Sequence, residues 1–168
     1  SSYRNIWVEI TKGEHGHGGP GWEFGTCLWS PSRNRAGADR YSLMREPVTG
    51  DLVIHFYHHL WPSEVEETRL SGVSTVDSGY SETLDEPPSP GEWRDMAPYY
   101  RIVLRDYSEV PAPLPMATLT NTYGDEIREE ILESRPRFYP FNTYGESIRT
   151  VQGIYLARCT ASLYSLIG

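Results

Sequence analysis

Along four stretches of the chain, apolar residues run or alternate as they do in strands; along two more they recur every three to four residues, as on a helix face. Leu52–Tyr57 (LVIHFY) is the clearest strand, opened by the Gly50-Asp51 turn signal and built from the β-branched and aromatic residues that suit a pleated surface. Asn5–Thr11 (NIWVEIT) and Leu70–Val76 (LSGVSTV) share that character, and Gly72 inside the latter marks a bulge or a close backbone approach. Tyr99–Tyr107 (YYRIVLRDY) alternates as a strand with one wet face, and Val110–Pro115 follows it as an extended connector. Thr122 can cap a helix that runs to Ser134, with Tyr123, Ile127 and Ile131 on one face and Pro136 beyond its end. Val151–Ile167 reads as a second helix, with Val151, Tyr155, Cys159 and Leu163 on one stripe.

Loops join these elements. Gly13–Gly21 is rich in glycine, Trp22–Trp29 is apolar again, and Ser30–Ala38 is polar and bears arginines. Asp39–Arg45 is read as one or two helical turns, and Glu82–Gly91 as an acidic, proline-rich loop unable to hold a regular element. No internal repeat or long linker divides the chain. The order predicts one domain over residues 1–168, of α+β class, built around a curved, barrel-like sheet flanked by helices.

Composition narrows the function classes. With 38% hydrophobic and 12% aromatic residues, 168 residues can bury a core, while 15 Gly and 13 Pro favour short elements over a helical bundle. No apolar run approaches the roughly 18–20 residues of a membrane span, and no signal pattern opens the chain. Cys27 and Cys159 cannot by themselves form a disulfide scaffold, so the expected setting is the reducing cytoplasm. The net charge of −8 argues against a non-specific nucleic-acid coat. The charge is uneven: Pro31–Arg45 holds four arginines against Asp39, whereas Pro62–Asp95 holds nine acids against Arg69 and Arg94. Such a balance allows a local anion contact and disfavours a long electrostatic track.

Motif tests remove catalysis. His15, His17, His58 and His59 lack carboxylate or thiolate partners at metal-ligand spacing, so no metal is expected. The glycine-rich loop follows neither phosphate-binding order, no nucleophile elbow is present, and neither cysteine has a histidine-paired motif. The chain is therefore expected to be a non-enzyme without cofactors. Tryptophans in polar company remain: Trp29 before the arginine loop, Trp61 beyond the best strand, and Trp93 after the proline-rich loop. Singly, a loop tryptophan usually clamps the edge of a core. Several beside one basic loop fit a face that holds a nucleobase. Trp7 and Trp22 read as core residues.

The order of motifs carries a resemblance. CLWSPSRNRAGADRYSLMREPVTGDLVIHFY, then LSGVSTVDSGY, then GEWRDMAPYYRIVLRDYSEVP, resembles the YTH and EVE branches of the PUA-like fold over roughly residues 5–115. GDLVIHFYHH resembles the EVE strand that ends in a tyrosine-histidine pair. LWS is similar to the YTH segment whose tryptophan forms the first wall of an aromatic cage, with the next serine at its floor, and GEW sits where the second cage tryptophan stands. The remainder is similar to the tails of such domains in Mcr-type modification-dependent restriction proteins. Where YTH domains place a base-reading asparagine, this chain has Gly18–Gly21.

The resemblance implies a reader that flips a methylated base of DNA, N6-methyladenine or 5-methylcytosine, into a cage of Trp29 and Trp93, with the Ser30 main chain at the base edge and Trp61 or Tyr80 as a third wall. It implies Arg33, Asn34, Arg35, His58 and His59 as contacts to the nucleic-acid backbone, and a fused or associated restriction NTPase or nuclease as the partner. The alternatives are a protein-interaction module docking through the tryptophan-rich face, a reader of methylated RNA, and, less favoured, a small nucleotide hydrolase.

Overall fold

The structure is a computed structural model in which residues 5–12 and 18–167 are described. Nine strands are present among them: β1 (Ile6–Lys12), β2 (Cys27–Pro31), β3 (Leu52–Leu60), β4 (Glu66–Val76), β5 (Ser81–Thr83), β6 (Tyr99–Pro115), β7 (Phe141–Tyr144), β8 (Ser147–Thr150) and β9 (Leu156–Arg158). The helices are α1 (Met116–Thr122), α2 (Gly124–Glu133) and α3 (Ala161–Ile167), with 3-10 turns at Ser42–Arg45 and Gly91–Trp93.

One mixed sheet runs in the order β2-β6-β4-β3-β1-β9, with β5 also on β6, while β7 and β8 form a separate hairpin. Only β1 and β3 pair in parallel, Trp7 opposite Val53 and Val8 opposite Ile54; the other pairs are antiparallel. Successive residues of these strands belong to different cores, as the two-residue period requires. Trp7 and Val53 join Trp29, Ile102 and Leu104 on one face. Val8, Ile54 and Phe56 join Leu119, Ile127 and Leu163 of the three helices on the other. Burial on both faces explains why LVIHFY is nearly continuous in its hydrophobicity. At the head of β3 the Asp51 carboxylate accepts from the Trp7 indole (2.9 Å) and the Val48 amide (3.0 Å), which locks the Gly50-Asp51 turn against β1.

Three expectations need correction. Val110–Pro115 is no connector but the end of β6, which pairs Leu114 with Leu70 through register shifts that accommodate its prolines. The helix expected from Thr122 to Ser134 is α2, with Ile127 fully buried, but its N-cap is Tyr123; Thr122 instead closes α1, a helix that was not expected. The helix expected over Val151–Ile167 survives only as α3. Leu156–Arg158 instead pair with Trp7–Glu9, and the burial of Tyr155, Leu156 and Ala157 in succession is that of an inner strand, which imitates a helical stripe. Gly72 meets its expectation. A Cβ there would lie 2.6 Å from the Tyr107 ring and 2.7 Å from the Ser108 carbonyl, and the ladder shifts register beside it.

Candidate nucleic-acid interface

Trp29 lies in the middle of β2, opposite Arg101 of β6. Its amide points away from that ladder and donates to the Tyr155 hydroxyl (3.1 Å). Trp93 closes the 3-10 turn Gly91–Trp93, whose entry needs the positive φ of Gly91 (60°). The turn is pinned because the Trp93 carbonyl accepts from Tyr99 (2.5 Å), while the indole hydrogen-bonds Tyr41. The two tryptophans do come together, yet not as parallel walls. Their centroids are 5.0 Å apart with the planes at 86°, the edge-to-face contact that ring quadrupoles favour. A flat heterocycle does not fit between them in this arrangement.

Trp22 meets the other side of Trp29 at 5.8 Å, so Trp29 is a core residue, 2% exposed. Arg101 stacks over Trp22 at 4.9 Å and donates to the Gly21 carbonyl, while its buried Nε has no partner among the described residues. The open side of the cluster lies at Trp93. Trp93 meets Tyr41 and Tyr155 edge to face, and the three line a cleft of about 530 Å³, within the roughly 300–1,000 Å³ of small-ligand sites. Lys12, Arg149 and Gln152 line it too, with Glu92 as its acid. Among the described residues neither Lys12 nor Arg149 has an ion-pair partner. The sequence reading missed Lys12, Tyr41, Arg149 and Tyr155. Tyr155 was hidden by the false helix, and the cations were isolated charges in sequence.

The arginine loop lies beside the turn that carries Trp93. Arg35 donates to the Glu92 (2.8 Å) and Arg94 (3.3 Å) carbonyls, tying Ser30–Ala38 to the turn that carries Trp93. Asn34 shapes the loop by accepting from the Ala38 amide (2.9 Å), and Arg33 donates to the Gly37 carbonyl (3.2 Å). Ser30 does not present its main chain to the cleft. With the Trp29 amide turned to Tyr155 and that of Ser32 on Pro98, Ser30 falls in the hydrogen-bonded phase of the ladder with Tyr100. Its side chain shares the opposite face with Tyr100, against which Tyr80 packs at 5.7 Å. Trp61, His58 and His59 lie at the far end of β3, where Arg69 covers Trp61 (4.8 Å), His59 stacks on it (4.1 Å) and His58 meets Thr68 (2.9 Å). None of the three lines the cleft at Trp93, although His58 is the β3 partner of Lys12, which does.

A buried polar row runs behind the cleft. Tyr155 hydrogen-bonds one oxygen of Glu9, the other oxygen meets His55 Nδ1 (2.6 Å), and His55 Nε2 meets Ser74 Oγ (2.6 Å). Every member is satisfied when the His55 proton sits on Nδ1, donating to Glu9, and Ser74 donates to Nε2. Burial and the Glu9 charge raise the Tyr155 hydroxyl well above its ordinary value, so it stays a donor. Serine, histidine and carboxylate in this order are the parts of an activated nucleophile. Here they are enclosed in the sheet, Ser74 at 1% exposure, and hold β1, β3 and β4 together rather than meet a substrate. Burial also pushes the Cys27 thiol up to about 11 and that of Cys159 to about 12, so neither is a thiolate at neutral pH. Among the described residues no three metal-ligating side chains gather; His15 and His17 lie outside the described residues. No described helix is long and apolar enough to cross a membrane.

No protein-family model matches the chain, and no curated protein matches its sequence. Solved structures do match its fold. Human THYN1, in complex with 5-methylcytosine-containing DNA, aligns over 97% of this chain and 95% of its own at 11% identity and a TM-score of 0.59. The N-terminal domain of Staphylothermus marinus McrB aligns over 98% and 93% at 13% identity and a TM-score of 0.53. ASCH from Zymomonas mobilis aligns over 98% and 94% at 10% identity and a TM-score of 0.53. These proteins have the PUA-like fold, and this chain has it too: a curled mixed sheet forming a half-barrel, with three helices.

Proposed function

We propose that the chain is a DNA-binding domain that reads a methylated base, by taking one nucleotide out of the stack and seating it against Trp93. One observation carries this reading: the Tyr41–Trp93–Tyr155 wall faces a cleft whose cations, Lys12 and Arg149, have no ion-pair partner among the described residues, Arg149 lying over the Tyr144 ring at 5.4 Å. Aromatic wall and ammonium or guanidinium groups are the two halves of a nucleotide site, the ring for the base and the cation for its phosphate. THYN1, bound to 5-methylcytosine-containing DNA on the same fold, supports methylated DNA as the ligand and makes 5-methylcytosine the first base to test.

In this reading Trp29 backs the wall that Trp93 presents, and Arg33, Asn34 and Arg35 lie beside it for the flanking phosphates. Stacking contributes on the order of 1–3 kcal/mol per base, against a few kcal/mol for unstacking and unpairing. The methyl group itself adds only about 0.8 kcal/mol by transfer. Stronger discrimination therefore comes from polar groups of the cleft left unsatisfied when the methyl is missing. Affinity of this size suits a domain whose avidity is raised by a fused or associated restriction NTPase or nuclease in the cytoplasm, the partner that the McrB likeness supports.

The test is a titration of tryptophan fluorescence with short duplexes carrying cytosine, 5-methylcytosine, adenine or N6-methyladenine at one position. Quenching should require one methylated base and weaken about tenfold or more in Lys12→Ala/Arg149→Ala, whose side chains are exposed and support no core. Wild-type binding that ignores methylation, or that occurs only with methylated RNA, would overturn the proposal.

A further inference from the structure

A second cleft, of about 510 Å³, lies across the 151–154 loop from the first. Residues Val151, Gln152, Gly153 and Ile154 line both, so this loop borders the two clefts. Within that shared loop Gly153 has φ of +76°, a conformation that favours glycine, and it brings no side chain to either cleft. The far cleft has an apolar floor from Ile131, Tyr139 and Phe141, with Tyr139 and Phe141 edge to face at 6.1 Å. Its rim carries Arg40 and Arg135, both exposed and neither in an ion pair among the described residues. The Arg40 guanidinium already reaches the shared loop, 3.9 Å from where a Gly153 Cβ would stand. Asn142 supplies an amide whose oxygen accepts from the Thr143 amide (2.9 Å) and whose two N–H donors have no partner among the described residues. Arg135 holds a left-handed φ of 43° as the residue that follows the C-cap of α2, its amide on the Glu130 carbonyl, and Phe138 on the rim has φ of 57°. The surrounding segment Arg135–Arg158 has four arginines against Glu146, in a chain of net charge −8.

We infer that this second cleft is a nucleotide subsite, taking the base and phosphate adjacent in the same DNA strand to the one seated against Trp93. The inference rests on the first cleft being a base receptor. The neighbouring base lies on the Tyr139–Phe141 floor, its edge meets Asn142, and the phosphate joining the two nucleotides crosses the shared loop at Gly153, between Arg40 and Arg149. A side chain there would stand in that crossing. One-sided placement also gives the site a polarity, because the cleft continues the strand in a single direction.

Chemical-shift titration with 5-methyl-dCMP, with dinucleotides carrying 5-methylcytosine at the 5′ or the 3′ position, and with the trinucleotide distinguishes the two clefts; the N6-methyladenine series is run in parallel. Affinity should rise about tenfold from mononucleotide to one dinucleotide and little for the other. In Arg40→Ala/Arg135→Ala, whose exposed side chains leave the core intact, mononucleotide affinity should be unchanged and the dinucleotide gain lost. On the wild-type protein, 5-iododeoxyuridine placed next to the methylated base should photocrosslink to Phe138 or Tyr139. A gain that persists in the double variant, equal gains for both dinucleotides, or crosslinks confined to other residues would overturn the subsite while leaving the first cleft standing. Failure of every methylated ligand to bind the wild-type protein would overturn both.

Discussion

Single residues behind the cleft are held in states that burial dictates. Cys27 and Cys159 stay protonated to about 11 and about 12, while the ordinary thiol value is 9.0. Between those values the unfolded chain has lost protons that the folded one keeps. Stability should therefore be full below about pH 9 and fall as pH rises, by up to about 1.4 kcal/mol per pH unit for each thiol. Urea unfolding from about pH 8 to pH 11 measures this, and Cys27→Ala/Cys159→Ala should flatten the alkaline fall. An equally steep fall in the double variant would show that the thiols do not contribute. At this scale the sequence was legible where a residue type has one main use. Trp7 was recognised as core and Gly72 as a close approach. Trp29 was taken for a cage wall although it is enclosed by Trp22, Trp93 and Tyr99, a burial that only β2 pairing with β6 produces. His55 went unnoticed because an apolar strand gives no sign that Glu9 and Ser74 face it from β1 and β4.

Among the elements, strands whose patterns are local came through, and those decided by distant partners did not. β1 and β3 matched their expected spans closely. β9 was lost to a helix because Leu156–Arg158 become a strand only when Trp7–Glu9 offer an edge, and no local pattern encodes that edge. The β7–β8 hairpin was missed as well, its turn at Gly145-Glu146 carrying no strong dipeptide signal. The close approach of β4 to β6 gives a prediction at this scale. Gly72→Ala places a Cβ 2.6 Å from the Tyr107 ring and 2.7 Å from a main-chain oxygen, and the oxygen cannot swing away. It should destabilise the fold by about 1–3 kcal/mol, read as a lower urea midpoint at unchanged m-value. An unchanged midpoint would mean that the two strands can part at no cost.

For the whole molecule in the proposed reading, charge decides how a strand of DNA is met. Acids dominate the chain, and the cations that matter sit in two places: the arginine loop beside Trp93 and the Arg135–Arg158 segment across the clefts. The first was visible as a run of arginines. The second was not, because Arg135 and Arg149 are isolated charges in sequence that meet Lys12 and Arg40 at the clefts only on folding. With about three or four phosphates engaged, log K against log salt should slope at about −3, and Arg149→Ala should make it shallower by about one. A slope near −8 would mean a long track that this charge distribution does not offer, and a slope near zero would remove the phosphate contacts altogether.

Tyr155 joins the wall of the cleft from a position 146 residues beyond Glu9, and the strand that follows it is the last to enter the sheet, against the first. A ribosome releases the N-terminal part of this fold long before that closure can occur. Until residues 155–158 emerge, the nascent chain has an unsealed edge at β1 and no counterpart for the Glu9 carboxylate. In the proposed reading ligand recognition thereby waits until residues 155–158 have been made and docked, and a chain cut short before them would be marked for chaperones or proteases by its own open edge.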